Sequence, residues 1–266
     1  MKKLFIYFLI LSLLFSCNEE ISRDITTDLS MEADQFFDFS TAINEGGYLG
    51  NFSYPDYFRT QSQSLPGCPK IEIDQTLRIV TLDYDAVDSC TQEKTLKRKG
   101  KIRLDFSQSN TQIGTWWMEY IDYHFENTEI KGKREFKALT TSQNQEKFEN
   151  LRFNRDTGLS FVANGTNTYF VSRFSFRPFA ISFVGKIEGT NPAGRKFSQT
   201  LTKAKEVYIN CYSEGWILPF EGEETWTVER GQGRELTYRF NFSSEGQCEP
   251  IVNALLPDGR NLILNP

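Results

Sequence analysis

The sequence predicts an all-β protein: an antiparallel β-meander, built as a sandwich or a curled half-barrel, behind one short N-terminal helix. Three observations predict it. Past Cys68 the apolar residues recur with period two, as where Ile102, Leu104 and Phe106 alternate with Arg103, Asp105 and Ser107. That alternation marks strands with one buried and one wet face. Turn signals separate the runs, at Gly189-Thr190-Asn191-Pro192-Ala193-Gly194, Gly231-Gln232-Gly233 and Pro257-Asp258-Gly259. Only one stretch carries a convincing helical period. The 266 residues are 39% hydrophobic, which is enough to build a buried core. A formal net charge of −5 argues against a nucleic-acid partner, and a single histidine excludes sites that need two imidazoles.

Taken in order, the chain opens MKKLFIYFLILSLLFSC. Lys2 and Lys3 form a positive n-region ahead of an uncharged apolar run over residues 4–15. Such a run spans about 18 Å as a helix, short of the roughly 20 residues that cross a bilayer core, so residues 1–16 read as a signal peptide. Leu14-Phe15-Ser16-Cys17 resembles a bacterial lipobox, in which the cysteine is acylated and the peptide before it removed. Two or more acyl chains on Cys17 would anchor the protein stably in the outer membrane. Asn18 stands where an inner-membrane retention signal carries Asp, and Glu19-Glu20 resembles the surface-export signal of Bacteroidota lipoproteins. The protein is therefore expected on the periplasmic or the cell-surface side.

Residues 17–66 read as the lipidated cysteine, a polar tether, a short helix and a loop. The helix is expected over about residues 31–43: Ala33, Phe36, Phe37, Ser40 and Ile43 share one face, Ser30 is a suitable N-cap, and Glu32 and Asp34 suit the positive end of the helix dipole. Asn44-Glu45-Gly46-Gly47 is expected to stop it. Residues 67–266 form the β-rich part, with roughly ten to fourteen strands. The alternation changes phase between Ile79 and Val80 and between Tyr120 and Ile121, which predicts β-bulges.

With Cys17 assigned to lipid, Cys68, Cys90, Cys211 and Cys248 remain, in a compartment where disulfides persist. Two regions, about 68–107 and 211–266, read alike as cysteine, hairpin, cysteine, loop and third strand, the last beginning at Gly100-Lys101 and Gly259-Arg260. This internal quasi-repeat favours the pairs Cys68–Cys90 and Cys211–Cys248 among the three pairings available. Each closed loop contributes about 3–4 kcal/mol on chain-entropy grounds.

The stretch from Cys68 to Phe106, CPKIEIDQTLRIVTLDYDAVDSCTQEKTLKRKGKIRLDF, resembles a pattern of Bacteroidota outer-membrane and surface lipoproteins with cysteine-framed β-hairpins. Residues 216–264 resemble that family's C-terminal segment. The loops before Cys90 and Cys248 depart from it in lacking a Gly-Asp-Gly character. The resemblance implies an anchored β-rich lipoprotein and supplies no catalytic residue.

Chemistry-bearing groups are sparse. His124 lies in an alternating strand with no nucleophile elbow near it. Asp83, Asp85 and Asp88 lack the order of an EF-hand loop, and the cysteine spacings do not suit zinc. No catalytic residue, metal or cofactor is therefore assigned. Lys97, Arg98, Lys99 and Lys101, within a basic run from Lys94 to Arg103, offer contact with an anionic surface or protect a sheet edge. Trp116, Trp117, Tyr120, Tyr123, Phe170 and Phe174 crowd two strands. Exposed, they would stack on sugars; lining a half-barrel, they would hold an acyl chain; buried, they fill the core. The leading expectation is a non-enzymatic binding or structural module of the cell envelope, meeting a protein, glycan or lipid partner. The alternatives are a carrier of an apolar ligand and a carbohydrate-active hydrolase with a carboxylate pair.

Overall fold

The computed structural model describes residues 28–264 apart from 88, 110–113, 159 and 247. The signal peptide, Cys17, the tether and Asp88 lie outside the described residues. The strands are β1 (Lys70–Asp74), β2 (Ile79–Asp83), β3 (Arg98–Asp105), β4 (Thr115–Phe125), β5 (Thr128–Lys131), β6 (Lys133–Ala138) and β7 (Gln143–Arg155). They continue as β8 (Ser160–Phe174), β9 (Arg177–Thr190), β10 (Lys196–Tyr208), β11 (Glu221–Glu229), β12 (Glu235–Ser244), β13 (Pro250–Leu255) and β14 (Asn261–Leu264). All fourteen belong to one antiparallel sheet in sequence order, with β5 and β6 sharing the lane between β4 and β7. The expected all-β meander is present as a single curled sheet, not a sandwich.

The sheet curls around helix α1 (Leu29–Gly50). Asp28, not Ser30, is the N-cap: its Oδ1 accepts from the Ser30 and Met31 amides at 2.9 and 3.3 Å. The helix runs seven residues past the expected end at residue 43, straight through Gly46-Gly47. Packing explains why. A Cβ on Gly46 would lie 2.1 Å from Arg134 Nη1, and one on Gly50 would lie 2.1 Å from the Phe136 ring. These glycines let the helix touch the sheet, so their cost in helix propensity is offset by close approach. From residue 39 to residue 50 the helix is buried on every side. Past it, Tyr54–Tyr57 forms the short helix α2 inside the segment expected to be loop.

At the first half of α1 the interior is aromatic. Phe36 stacks on Trp226 at 4.6 Å, and Phe39 meets Phe161 and Phe153 at 4.6 and 4.7 Å. Around the second half it is polar, described below. Gly132 and register shifts in β3–β4, β7–β8 and β9–β10 supply the local twist that curls the sheet. The expected phase slip in β4 is such a bulge, with Asp122 at φ 47° opposite Gly100. The slip expected near Ile79 is instead a turn, with Arg78 at φ 56° and Leu77 exposed.

Both expected disulfides form, Cys68–Cys90 with Cα atoms 5.5 Å apart and Cys211–Cys248 with 5.3 Å. Each frames a hairpin, β1–β2 in one case and β11–β12 in the other. The third strands do not correspond as expected. β3 pairs with β2, but the segment at Gly259-Arg260 leads into β14, which pairs with the additional strand β13.

The two ends of the molecule are set by the helix. Near its start Glu32 reaches Asn191 in the β9–β10 turn and Arg230 after β11. Beyond its end Asp56 of α2 holds Arg173 of β8, beside the β8–β9 turn. A helix of this length separates these ends by about 33 Å.

Candidate functional site

The residues singled out from the sequence do not form one surface. Trp116, Tyr120 and Tyr123 point inward and are buried, a correction that follows from the strand's alternation placing them against α1. Trp116 Nε1 donates to the Gly50 carbonyl at 2.8 Å, and the Tyr120 and Tyr123 rings stack at 5.5 Å. Trp117 is half-buried on the outer face, whereas Phe170 and Phe174 are exposed.

The basic run is divided by the same alternation. Arg98 is not a surface contact: its side chain is 1% exposed and forks onto Glu45 of α1 with two bonds of 2.8 Å. Lys101 Nζ lies 2.6 Å from Asp83. Lys97 and Lys99 remain exposed. Asp85 accepts from the Gly100 amide, and His124 Nδ1 sits 3.0 Å from the Asp122 carbonyl.

What the sequence did not reveal is a set of charged groups buried between α1 and the sheet. Arg134 pairs with Glu146, donates to the Ile43 carbonyl at 2.9 Å and meets the Tyr120 hydroxyl at 3.1 Å. Glu146 also accepts from Asn167 and Tyr169. Lys205 Nζ lies 2.6 Å from Glu224 and donates to the Ser40 hydroxyl at 2.9 Å. Burial pulls the Lys205 ammonium below the ordinary lysine range, against the opposing pull of Glu224. Each pair is fully enclosed and densely hydrogen-bonded, so it positions the helix and offers no access to a substrate. The gap between Phe39, Ile43 and Phe183 has no room for even one water.

The accessible site lies at the β8–β9 end. Phe174 and Arg177 face each other across a two-residue turn, Ser175-Phe176, with both residues in the left-handed region at φ 47° and 66°. Such hairpin turns favour Asn and Gly, and a bulky residue at positive φ is an outlier. Phe176 is nevertheless there and is 82% exposed, beside Phe174 at 76% and Phe179 at 47%. Arg173 fixes the hairpin to α2 by donating twice to Asp56, at 2.9 and 2.8 Å.

Beside this hairpin opens a cleft of about 540 Å³ whose lining includes Arg59, Arg177, Phe179, Tyr208, Asn210 and Ser213. Tyr208 is stacked on Phe220, with ring centres 4.4 Å apart and planes 6° from parallel. Arg59 and Arg177 carry no ion pair among the described residues, and the cleft's one acid, Asp56, is held by Arg173. A groove of similar volume, about 550 Å³, crosses the outer face of β7–β9, but its Lys147–Glu149 and Lys186–Glu188 pairs neutralise each other. Volume does not separate the two; unpaired charge beside exposed rings does. The cleft residues come from α2's C-terminal side, β9, the end of β10 and the 3-10 turn Ile209–Glu214 after it, so no local motif announces them. The legible signal was the density of phenylalanine between residues 170 and 183. Comparison with protein-family models, curated proteins and solved structures gives no match.

Proposed function

We propose that this chain is a lipid-anchored outer-membrane lipoprotein that acts as a non-enzymatic binding module, with the β8–β9 hairpin and its cleft as the contact end. The lipobox ending at Cys17 and the resemblance to Bacteroidota lipoproteins support the anchor. Two disulfides suit a compartment outside the cytoplasm. The observation that carries the binding reading is Phe176, a large apolar ring kept exposed at a turn position where folding favours glycine. Among the described residues α1 fills the curl of the sheet, and the gap beside Phe39, Ile43 and Phe183 has no space for the acyl chain that a carrier holds. A glycosidase needs two convergent carboxylates, and among the described residues the cleft's one acid, Asp56, is tied to Arg173.

The described chain begins at the end of α1 opposite the phenylalanines, about 33 Å away along the helix. Two measurements on cells test this reading. Cys17→Ala should move the protein from the membrane pellet to the soluble fraction; continued sedimentation would remove the anchor. A photo-crosslinking side chain at position 176 should give envelope adducts that the same group at position 147 does not. Equal or absent adducts at 176 would remove the contact end.

A further inference from the structure

We infer that the cleft beside the β8–β9 hairpin is a site for an acidic saccharide, with Arg59 and Arg177 receiving its carboxylates and Tyr208 its ring face. The inference rests on the binding reading above and names the ligand class for that end. Three features of the cleft converge on it. First, Arg59 and Arg177 are exposed guanidinium groups with no ion pair among the described residues, and the adjacent carboxylate is already satisfied by Arg173. The cleft is therefore net cationic, and guanidinium forks match carboxylate geometry. Second, Tyr208 is braced from behind by the parallel Phe220 ring. A ring held in this way offers a fixed flat apolar face at little entropic cost, suited to the C–H face of a sugar. Third, the rim carries Asn210 and Ser213. The Ser213 hydroxyl donates to the Asn210 carbonyl at 2.6 Å and keeps its acceptor capacity, while the Asn210 amide brings both donors and an acceptor. Flat ring, amide, hydroxyl and two cations together suit a polyhydroxylated anion. An apolar ligand would leave the guanidinium groups without partners, and a bare inorganic anion would leave the ring unused.

The test uses the full lipidated protein in nanodiscs of neutral lipid and titration calorimetry with oligogalacturonate and hyaluronan oligosaccharides. Methyl-esterified oligogalacturonate, inorganic phosphate and phosphatidylglycerol vesicles are the comparison probes. At least one acidic oligosaccharide should bind saturably, with its methyl ester about tenfold weaker or worse. Arg59→Gln and Arg177→Gln, both surface changes, should each weaken the acid by about tenfold, leave the ester unaffected and keep the unfolding midpoint. Tyr208→Leu should weaken acid and ester alike. Equal binding of acid and ester would overturn the assignment. So would phosphate competing as strongly as the oligosaccharide, or binding confined to the vesicles. Absence of binding by both acidic oligosaccharides would also overturn it. If anchoring through Cys17 and the position-176 adducts survive such a failure, only the ligand class falls.

Discussion

The interior of this protein and its β8–β9 end invert the usual distribution of side chains. Inside, between α1 and the sheet, sit Glu45–Arg98, Arg134–Glu146 and Lys205–Glu224, with side chains at most 3% exposed. Outside, at the hairpin, Phe174 and Phe176 are more than three-quarters exposed. The two inversions have different causes. Each of these buried charges meets an opposite charge and further hydrogen bonds, although Arg134 Nη2 is buried without a partner among the described residues. The exposed phenylalanines are not covered by any of the described residues. The interior therefore explains how the helix is held, and the hairpin carries the proposed contact.

Alkaline pH should break the interior most severely. Tyr48, Tyr57, Tyr84, Tyr120, Tyr123, Tyr169, Tyr212 and Tyr238 are buried, and burial raises every one of these phenols above its ordinary value of 10.0. Below pH 10 both folded and unfolded chains keep these protons, and stability is undiminished. Above it the unfolded chain releases protons that the folded one retains, so stability falls as pH rises. Each phenol then contributes up to about 1.4 kcal/mol per pH unit. Acting together, these phenols should unfold a domain of ordinary stability in the alkaline range above pH 10. Circular dichroism and phenolate absorbance should change together. Phenolate absorbance from these eight rising while the fold persists would mean that the interior is open to water.

The next largest effect should come from a single interior charge. Arg134→Met leaves Glu146 enclosed with only the Asn167 and Tyr169 donors. Removing one partner of such a pair costs about 3–5 kcal/mol, read as a lower urea midpoint at unchanged slope. Adding Glu146→Gln should restore part of the loss, because the stranded charge goes with it. A loss below about 1 kcal/mol for Arg134→Met alone would show that the pair is incidental to helix placement.

These interior pairs also mark where the sequence stopped being legible. Strand alternation, turn residues and the cysteine-framed repeat are local signals, and they located the meander and both disulfides. Glu45 and Arg98 lie 53 positions apart, and Glu32 and Arg230 lie 198 apart, so no local period links them. On the helix, Asn44-Glu45-Gly46-Gly47 reads as a stop; against the sheet it supplies an ion-pair partner and close-contact glycines. In the basic run, alternation already implied that Arg98 and Lys99 face opposite ways. Charge alone could not tell which of them points inward, because inward cations require a partner acid that only the fold supplies. The cleft was illegible for the same reason, its two arginines standing 118 positions apart between Arg59 and Arg177.

The smallest effect discriminates best between the two regions. Phe176→Gly places the favoured residue at a turn position with φ 66° and removes a ring that is 82% exposed. Relief at that position should outweigh the lost contacts and stabilise the protein by about 0.5–1 kcal/mol, measured as a higher urea midpoint. Phe174→Ser, on the neighbouring strand end, should stay within about 0.5 kcal/mol of the parent. Cross-links to envelope partners from a probe at position 174 should be weakened in the Phe176→Gly background while the fold is strengthened, the opposite of what any interior substitution produces. A Phe176→Gly protein that is less stable by more than about 1 kcal/mol would place this ring in the fold's own packing. The hairpin would then belong with the interior as a structural element, and the contrast between the regions would disappear.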